Sequence, residues 1–121
     1  MITGYKDFYY NVSDMDRAVK FYKQALQMMV EGESDKYWTS MRVGNLTLGL
    51  HGSEGVAIPT TVRNAHGQEN GGTVTFSSTD ITEDRARIIT AGGKILGEAN
   101  QPWGHMLVFE DLDGNVLKLM K

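Results

Sequence analysis

Residues 12–22, Val-Ser-Asp-Met-Asp-Arg-Ala-Val-Lys-Phe-Tyr, contain the change from a strand to a helix on which the fold prediction depends. Residues 8–12 are aromatic and β-branched, which indicates a strand. Ser13 with Asp16 three residues later resembles a capping box, so we predict that Ser13 caps a helix. Apolar residues then recur at helical spacing and give this helix one apolar face: Met15, Ala18, Val19, Tyr22, Ala25 and Leu26.

The segments that follow are predicted to be short strands, a long loop and a second β–α unit. Three strands are predicted at residues 28–31, 37–43 and 46–51. Residues 52–72 are rich in glycine and indicate a loop, with one short strand near residues 56–58. A strand at residues 73–79 leads to a capping signal at Asp80 and to a helix that ends near Ala91, before Gly92-Gly93. The last strands are predicted at residues 94–97, 105–109 and 116–120.

These segments make the chain a weak internal repeat of two βαβββ modules. Ser13-Asp14-Met15 corresponds to Thr79-Asp80-Ile81, and the hairpin residues Gly44-Asn45-Leu46 correspond to Gly114-Asn115-Val116. Two copies alone exclude an array of short repeats. We therefore predict an α+β fold with a single domain over residues 1–121. Its first module spans about 1–52, its loop about 53–71 and its second module about 72–121.

The composition is that of an ordinary globular domain with one core. The chain has 121 residues, a net charge of −3 and no basic stripe, so we expect neither nucleic acid nor a membrane as a partner. It has no cysteine, which excludes disulfides and thiolate metal sites. Since the start of the chain lacks an apolar signal region and no apolar run is long enough to span a bilayer, we expect a cytoplasmic protein.

Two stretches resemble a known family. Residues 12–22, followed by Leu26, resemble the opening of the vicinal oxygen chelate superfamily of glyoxalases, extradiol dioxygenases, fosfomycin-resistance transferases and bleomycin-binding proteins. Residues 109–115, Phe-Glu-Asp-Leu-Asp-Gly-Asn, resemble its closing phrase, with Leu112 where proline is usual, and Trp103-Gly104 is also typical. The resemblance implies paired modules that form a cupped mixed sheet with the helices on its outer face, and a homodimer. Whether one chain builds each cup, or two swapped chains build it, stays open.

The alternation of strand residues divides them between two faces. One set is apolar and is predicted to pack under the helices: Phe8, Tyr10, Val12, Leu46, Leu48, Leu50, Val74, Phe76, Leu117 and Leu119. The other set is largely polar: Asp7, Tyr9, Asn11, Thr47, Gly49, His51, Thr73, Thr75, Ser77, Lys118 and Met120. The residues alone allow a polar face that is washed by water or one that lines a cup, and the resemblance favours the cup.

The resemblance places the family's four metal-ligand positions at Asp7, Gly49, Thr73 and Lys118. Gly49 has no side chain, Thr73 is a weak neutral ligand, and Lys118 is a cation that repels a metal ion. His51 lies on the same face as Gly49, but it would not remove Lys118 from the site. We therefore expect no metal and no cofactor. Because Asp7 and Lys118 have opposite charges, we predict that they pair, and the alternative is that they lie exposed and apart.

The residues expected to contact a ligand are those of the polar face and the aromatic residues near it: Asp7, Tyr9, Asn11, Trp38, His51, Thr73, Thr75, Trp103 and Lys118. Tyr37 and Phe109 are further candidates for aromatic walls. Trp38 also suits core packing. The histidines at positions 51, 66 and 105 have no zinc-motif spacing, and a strand histidine is commonly a plain polar residue.

Three functions are compatible with these features. The first is a metal-free protein that holds a small compound, with an aromatic one as the first candidate, in its cup. The second is a glyoxalase-family lyase or isomerase, metal-free or with an atypical metal site, with Asp7, His51 or His105 as the base. The third is a dimeric scaffold with a vestigial pocket. No nucleophile elbow or phosphate loop is present. Binding needs only a cup, aromatic walls and a few polar anchors, and it is therefore favoured over turnover. The sequence does not identify the ligand.

Overall fold

Two modules of the same topology contain both four-stranded sheets and both helices of the described residues. The computed structural model describes residues 1–53, 63–64, 67–68 and 72–121. The elements are β1 (Tyr9–Val12), α1 (Met15–Leu26), β2 (Met29–Ser34), β3 (Trp38–Val43), β4 (Leu46–Gly52), β5 (Arg63–Asn64), β6 (Gly67–Gln68), β7 (Val74–Ser77), α2 (Ile81–Thr90), β8 (Lys94–Gln101), β9 (Gly104–Glu110) and β10 (Val116–Met120). The predicted strand near residues 56–58, and His66, lie outside the described residues.

The strand order is the same in both large sheets and confirms the predicted α+β fold of two βαβββ modules. It is β1-β4-β3-β2 in the first sheet and β7-β10-β9-β8 in the second. In each module the strand before the helix runs parallel to the last strand, and the remaining neighbours are antiparallel. The short pair β5–β6 lies within the predicted loop. In the described part of the chain, neither helix is long and apolar enough to cross a bilayer.

Aspartates start both helices. The Asp14 carboxylate accepts the backbone N–H of Arg17 at 3.0 Å, and Asp80 accepts that of Glu83 at 3.1 Å. The prediction that Ser13 caps α1 was therefore wrong by one residue, because Asp14 fills the cap and leaves the Ser13 hydroxyl free for another partner. The cap predicted at Asp80 is confirmed.

Glycine ends α2 as predicted. Gly92 has φ of +100°, a region that side-chain-bearing residues rarely adopt. Its N–H donates to the Ile89 carbonyl at 3.0 Å, and the Gly93 N–H donates to the Ile88 carbonyl at 2.9 Å. These two bonds form a Schellman motif, which satisfies carbonyls that the end of a helix would otherwise leave unpaired.

The apolar face of each sheet packs with the two helices into one core. The predicted apolar set lies in this core or against it, while Tyr9, His51, Thr75, Ser77 and Met120 of the other set are exposed. Each fully buried aliphatic or aromatic side chain contributes about 1.5–3 kcal/mol. The two helices contribute unequally, since α1 buries five side chains and α2 buries two, Ile81 and Ile88.

The turn between β9 and β10 ties the second module to the first. Asp111 is only 5% exposed and accepts a hydrogen bond from the Tyr22 hydroxyl at 2.7 Å. The Asp113 carboxylate accepts the Ser13 hydroxyl at 2.6 Å. We call residues 111–115 with these two partners the inter-module clasp. It gives the predicted closing phrase a structural role.

A buried tyrosine links the same two modules beside the clasp. The Tyr10 hydroxyl donates to the Val116 carbonyl at 2.8 Å and accepts the Val74 N–H at 3.3 Å. The Asn115 amide donates to the Asn11 carbonyl at 2.9 Å. Polar groups of both modules are thus satisfied across their junction.

Candidate functional site

Three rings meet on the polar face of the first sheet. Tyr9 lies on β1, Trp38 on β3 and His51 on β4. The ring centroids are separated by 5.5 Å from Tyr9 to Trp38, 5.6 Å from Tyr9 to His51, and 6.4 Å from Trp38 to His51. The register explains the meeting, because Trp38 is opposite His51 and Tyr9 is opposite Gly49. We call these three side chains the aromatic patch.

The indole of Trp38 covers Gly49. A Cβ atom built on Gly49 would lie 2.3 Å from both Cη2 and Cζ2 of Trp38, far inside van der Waals contact. The indole Nε1 donates to the Ser40 hydroxyl at 3.1 Å, which fixes the orientation of the ring. The absence of a side chain at Gly49 thus makes room for the ring, and an indole occupies the position where metal-using relatives are expected to place a ligand.

A groove of about 380 Å³ runs beside the indole. Its described lining comes from the first module: Tyr5, Lys6, Asp7, Trp38, Ser40, Thr47 and Gly49. The volume lies within the range of small-molecule sites. The groove therefore combines an aromatic wall with the polar side chains of Lys6, Asp7 and Ser40.

His51 is held by a neighbouring amide. Its Nδ1 lies 3.1 Å from Oδ1 of Asn11, so the amide oxygen accepts a hydrogen bond from an Nδ1–H tautomer. In that tautomer Nε2 is the proton acceptor. His51 lies on the polar face together with Asn11 and Tyr9, as the sequence predicted. Of the three, His51 and Tyr9 are exposed and Asn11 is partly buried.

The second sheet carries the other predicted polar residues. Lys118 on β10 is opposite Val108 and Thr75, and it is partly buried. Thr73 directly precedes β7, and Thr75 is exposed within it. Among the described residues, Lys118 and Asp7 do not form a salt bridge. The predicted pairing of these two residues within one chain was therefore wrong.

Two aromatic candidates lie apart from the aromatic patch and a third lies in the core. Trp103 is 59% exposed, in the turn between β8 and β9, and makes no described ring contact with the patch. Tyr37 lies just before β3 and has the Lys36 ammonium 5.0 Å from its ring centroid. Phe109 is fully buried in the core. Its predicted role as a ligand wall was wrong, because strand alternation puts it on the same side as the core residue Leu107.

His105 belongs to a separate ionic cluster on the helix side of the second sheet. Its Nε2 donates to Glu98 at 2.9 Å, and the Arg85 guanidinium makes two hydrogen bonds to the same carboxylate at 2.7 and 2.6 Å. The hydrogen bonds from His105 and then Arg85 lower the pKa of Glu98. The sequence analysis did not predict that Glu98 and Arg85 form this cluster with His105. Strand alternation places His105 on the same side of the sheet as the core residue Leu107, so the side on which His105 lies was predictable.

The described residues do not fit the family's metal ion. No three His, Asp or Glu side chains lie close enough in the described part of the chain to hold one. At the four family positions, the indole of Trp38 covers Gly49, Lys118 is a cation, and Asp7 is the only anionic donor. One carboxylate does not make a divalent site built from protein ligands.

The fold and the sequence together determine the family. The model of the Glyoxalase/Bleomycin resistance protein/Dioxygenase superfamily matches residues 5–119. The chain belongs to this superfamily. Comparison with curated protein sequences gives no match.

Solved structures with a similar fold come from several bacteria. A hypothetical protein from S. aureus is 17% identical, with a TM-score of 0.78, over 99% of this chain and 94% of that chain. FosX, a fosfomycin resistance protein from Listeria monocytogenes in complex with Mn(II) and 1S,2S-dihydroxypropylphosphonic acid, is 17% identical, with a TM-score of 0.72, over 99% of this chain and 90% of that chain. A glyoxylase/bleomycin resistance protein/dioxygenase domain from Frankia sp. is 21% identical, with a TM-score of 0.71, over 99% and 98%. At these identities the likeness shows the fold alone.

Proposed function

We propose that this superfamily member binds a small planar aromatic compound on the aromatic patch and does so without a metal ion. The observation that carries the proposal is the indole of Trp38 on Gly49, because it replaces a metal-ligand position with a flat apolar surface. The part-buried ring is held by Ser40 and edged by Tyr9. A ring fixed in this way offers a preorganised stacking surface.

The groove beside Trp38 supplies what a small ligand needs besides a ring. Aromatic pairs at centroid distances of about 4.5–7 Å are worth about 0.5–1.5 kcal/mol beyond the area that they bury. The Asp7 carboxylate and the Ser40 hydroxyl lie in the same groove and can orient polar substituents of the ligand. A flat compound with one or two polar groups therefore matches the described lining.

The contrast with FosX supports a metal-free mode of binding. The FosX structure contains Mn(II) and a phosphonic acid. In this chain, Lys118 and the covered Gly49 occupy family ligand positions, and a fixed positive charge opposes the binding of a divalent cation. We therefore propose that this protein shares the fold of FosX but binds a different kind of ligand.

Calorimetric titration with 2-naphthol and with decahydro-2-naphthol tests the stacking. The two compounds are uncharged at neutral pH and differ in aromaticity, so a stacking site distinguishes them. We expect saturable binding of 2-naphthol and an affinity about two- to tenfold lower for the saturated compound, because that is the range to which the stacking energy corresponds. Trp38→Leu is expected to weaken the binding of 2-naphthol by about two- to tenfold for the same reason.

Tyr37→Leu is the matched control. Tyr37 precedes Trp38 in the chain, is 47% exposed and makes no described ring contact with the aromatic patch. We expect its affinity for 2-naphthol to equal that of the wild type. Equal binding of the two naphthol compounds, or unchanged binding by a folded Trp38→Leu variant, would contradict the proposal.

The proposal includes a homodimer. The described lining of the groove comes from the first module alone, so a second copy can bring Thr75 and Lys118, on the polar face of its own second module, to the open side. Light scattering during size-exclusion chromatography measures the assembly. A monomeric mass at concentrations at which 2-naphthol binds would remove the dimer from the proposal and leave the patch.

A further inference from the structure

The two helices differ on the face that packs towards the sheets. Counted from the caps, Asp84 and Arg87 of α2 take the places of Ala18 and Phe21 of α1. Ala18 and Phe21 are buried in the core. The side chains of Asp84 and Arg87 are also largely buried, with 22% and 28% of their surface exposed, although both residues are charged. Helix α2 thus carries an ion pair where its counterpart carries apolar side chains.

One hydrogen-bond donor of this ion pair, on Arg87, has no acceptor in the described part of the protein. Asp84 accepts from the Ser78 hydroxyl and from Nη2 of Arg87, while Nη1 of Arg87 donates to Glu83 at 2.9 Å. The Nε–H of Arg87 is buried and has no acceptor among the protein atoms. A buried donor left without a partner destabilises a fold, so it requires an explanation.

The ion pair opens onto a cleft of about 490 Å³. Apolar side chains, among them Leu26, Phe76 and Leu119, line it together with Asp84 and Arg87. The volume again matches that of small-molecule sites. The cleft is built by α2, β7 and the end of α1, away from the aromatic patch.

The cleft lies at the place in the second module that corresponds to the clasp at the start of α1. In the clasp, the β9–β10 turn docks against the start of α1 through Asp113 and Ser13. The corresponding β3–β4 turn, at Gly44 and Asn45, borders the cleft opposite the start of α2. One junction between turn and helix is therefore closed by hydrogen bonds, and its counterpart is open and lined by apolar and charged groups.

We propose that this cleft is a second ligand site, which takes a small uncharged amphipathic molecule with a carbonyl or hydroxyl oxygen directed at Nε of Arg87. An anion would meet three carboxylates, Asp80, Glu83 and Asp84, against one guanidinium. A cation without an acceptor would leave the Nε–H unpaired. A neutral oxygen satisfies the donor, and an apolar body fits the Phe76 side of the cleft.

Two-dimensional NMR of ¹⁵N-labelled protein tests the site with three probes of equal chain length: N-methylhexanamide, hexanoate and hexylammonium. We expect N-methylhexanamide to cause saturable shifts at the Arg87 Nε–H and at the amides of Phe76 and Asp84, with none at Trp38. Hexanoate and hexylammonium are expected to bind at least about fivefold more weakly, the size of one neutral hydrogen bond. Equal affinity for the three probes, or shifts confined to Trp38, would overturn the proposal.

Arg87→Lys separates binding from folding. Lysine keeps the positive charge beside Asp84 and Glu83 but has no Nε–H, so we expect a folded protein whose affinity for the amide falls about five- to tenfold. Arg85→Lys is the matched control, because Arg85 lies on the same helix and pairs with Glu98 outside the cleft. Unchanged amide binding by Arg87→Lys, or an equal loss in Arg85→Lys, would contradict the site. Trp38→Leu should leave this binding intact, which keeps the test independent of the proposed function.

Discussion

The Tyr22 hydroxyl donates a 2.7 Å hydrogen bond to the Asp111 carboxylate, and this buried contact joins the first helix to the last hairpin. Asp111 also accepts the backbone N–H groups of Asp113 and Asn115 at 2.9 Å each. One carboxylate therefore shapes its own turn and anchors that turn to the other module. Burial raises the pKa of Asp111, while its hydrogen bonds from Asn115 and Tyr22 partly oppose the rise.

Removing the Tyr22 hydroxyl should loosen the clasp. Tyr22→Phe leaves the Asp111 carboxylate short of one donor in a buried place, so we expect the free energy of unfolding to fall by about 1–3 kcal/mol. Urea denaturation measures the change. Tyr37→Phe serves as the control, since no described hydrogen bond involves its hydroxyl, and it should change stability by less than about 0.5 kcal/mol. Equal stabilities of the two variants would show that the contact contributes little.

The buried Tyr10 hydroxyl should make the stability of the protein depend on pH in the alkaline range. Burial raises the pKa of Tyr10 to about 12 from the usual 10.0. The unfolded chain then loses its phenolic proton before the folded one does, so stability is retained below about pH 10 and falls as the pH rises towards 12. In Tyr10→Phe, the fall over this window should be smaller by about 2 kcal/mol. Denaturation curves at pH 10 and at pH 12 compare the two proteins, and parallel losses would refute the assignment.

Gly49→Ala tests the contact beneath the indole. The added methyl group would collide with Trp38 at 2.3 Å, so we expect a loss of about 1–3 kcal/mol in stability and a shifted tryptophan fluorescence spectrum. The same substitution in a Trp38→Ala background should have a much smaller effect, because the ring is absent. Thermal or urea unfolding of the four proteins completes the cycle. Additive effects would mean that the ring and Gly49 do not touch.

Divalent metal ions should not bind at the family positions. The positive charge of Lys118 and the covered Gly49 leave Asp7 as the only anionic donor there. We expect Mn²⁺ and Zn²⁺ to give no saturable heat in calorimetry and chelator treatment to leave the midpoint of thermal unfolding unchanged. One equivalent of metal per chain, retained through purification without chelator, would be incompatible with the proposed metal-free site.

Local signals made most of the fold predictable. The aspartate before α2, the glycines after it and the Gly-Asn turn of the first module each act within a few residues, and the structure has them where the sequence predicted. The strands β2 and β8 are longer than predicted, because each contains an irregular pairing near a glycine that breaks the alternating pattern. Short-range patterns do not reveal such bulges.

The candidate site was predictable in its members but not in its contacts. Alternation alone puts Tyr9, Asn11 and His51 on one face, and the structure has them there. That Trp38 covers Gly49 depends on the register between β3 and β4, which the sequence does not specify. The missing side chain at Gly49 was the available signal, and it indicated a lost ligand without indicating the ring that replaces it. The contact of Arg87 with Asp84 was missed because charged helix residues are usually solvent-exposed.

The clasp also bears on how the chain folds during synthesis. Its contacts join residues about 90 to 100 positions apart: Tyr22 with Asp111, and Ser13 with Asp113. A ribosome completes the first module long before Asp111 leaves the exit tunnel. Until then, the Tyr22 hydroxyl of the nascent first module lacks its Asp111 partner. Contacts this distant in sequence slow folding and couple the halves into one cooperative transition. A chain that ends before residue 111 should therefore need a chaperone more than the full chain does.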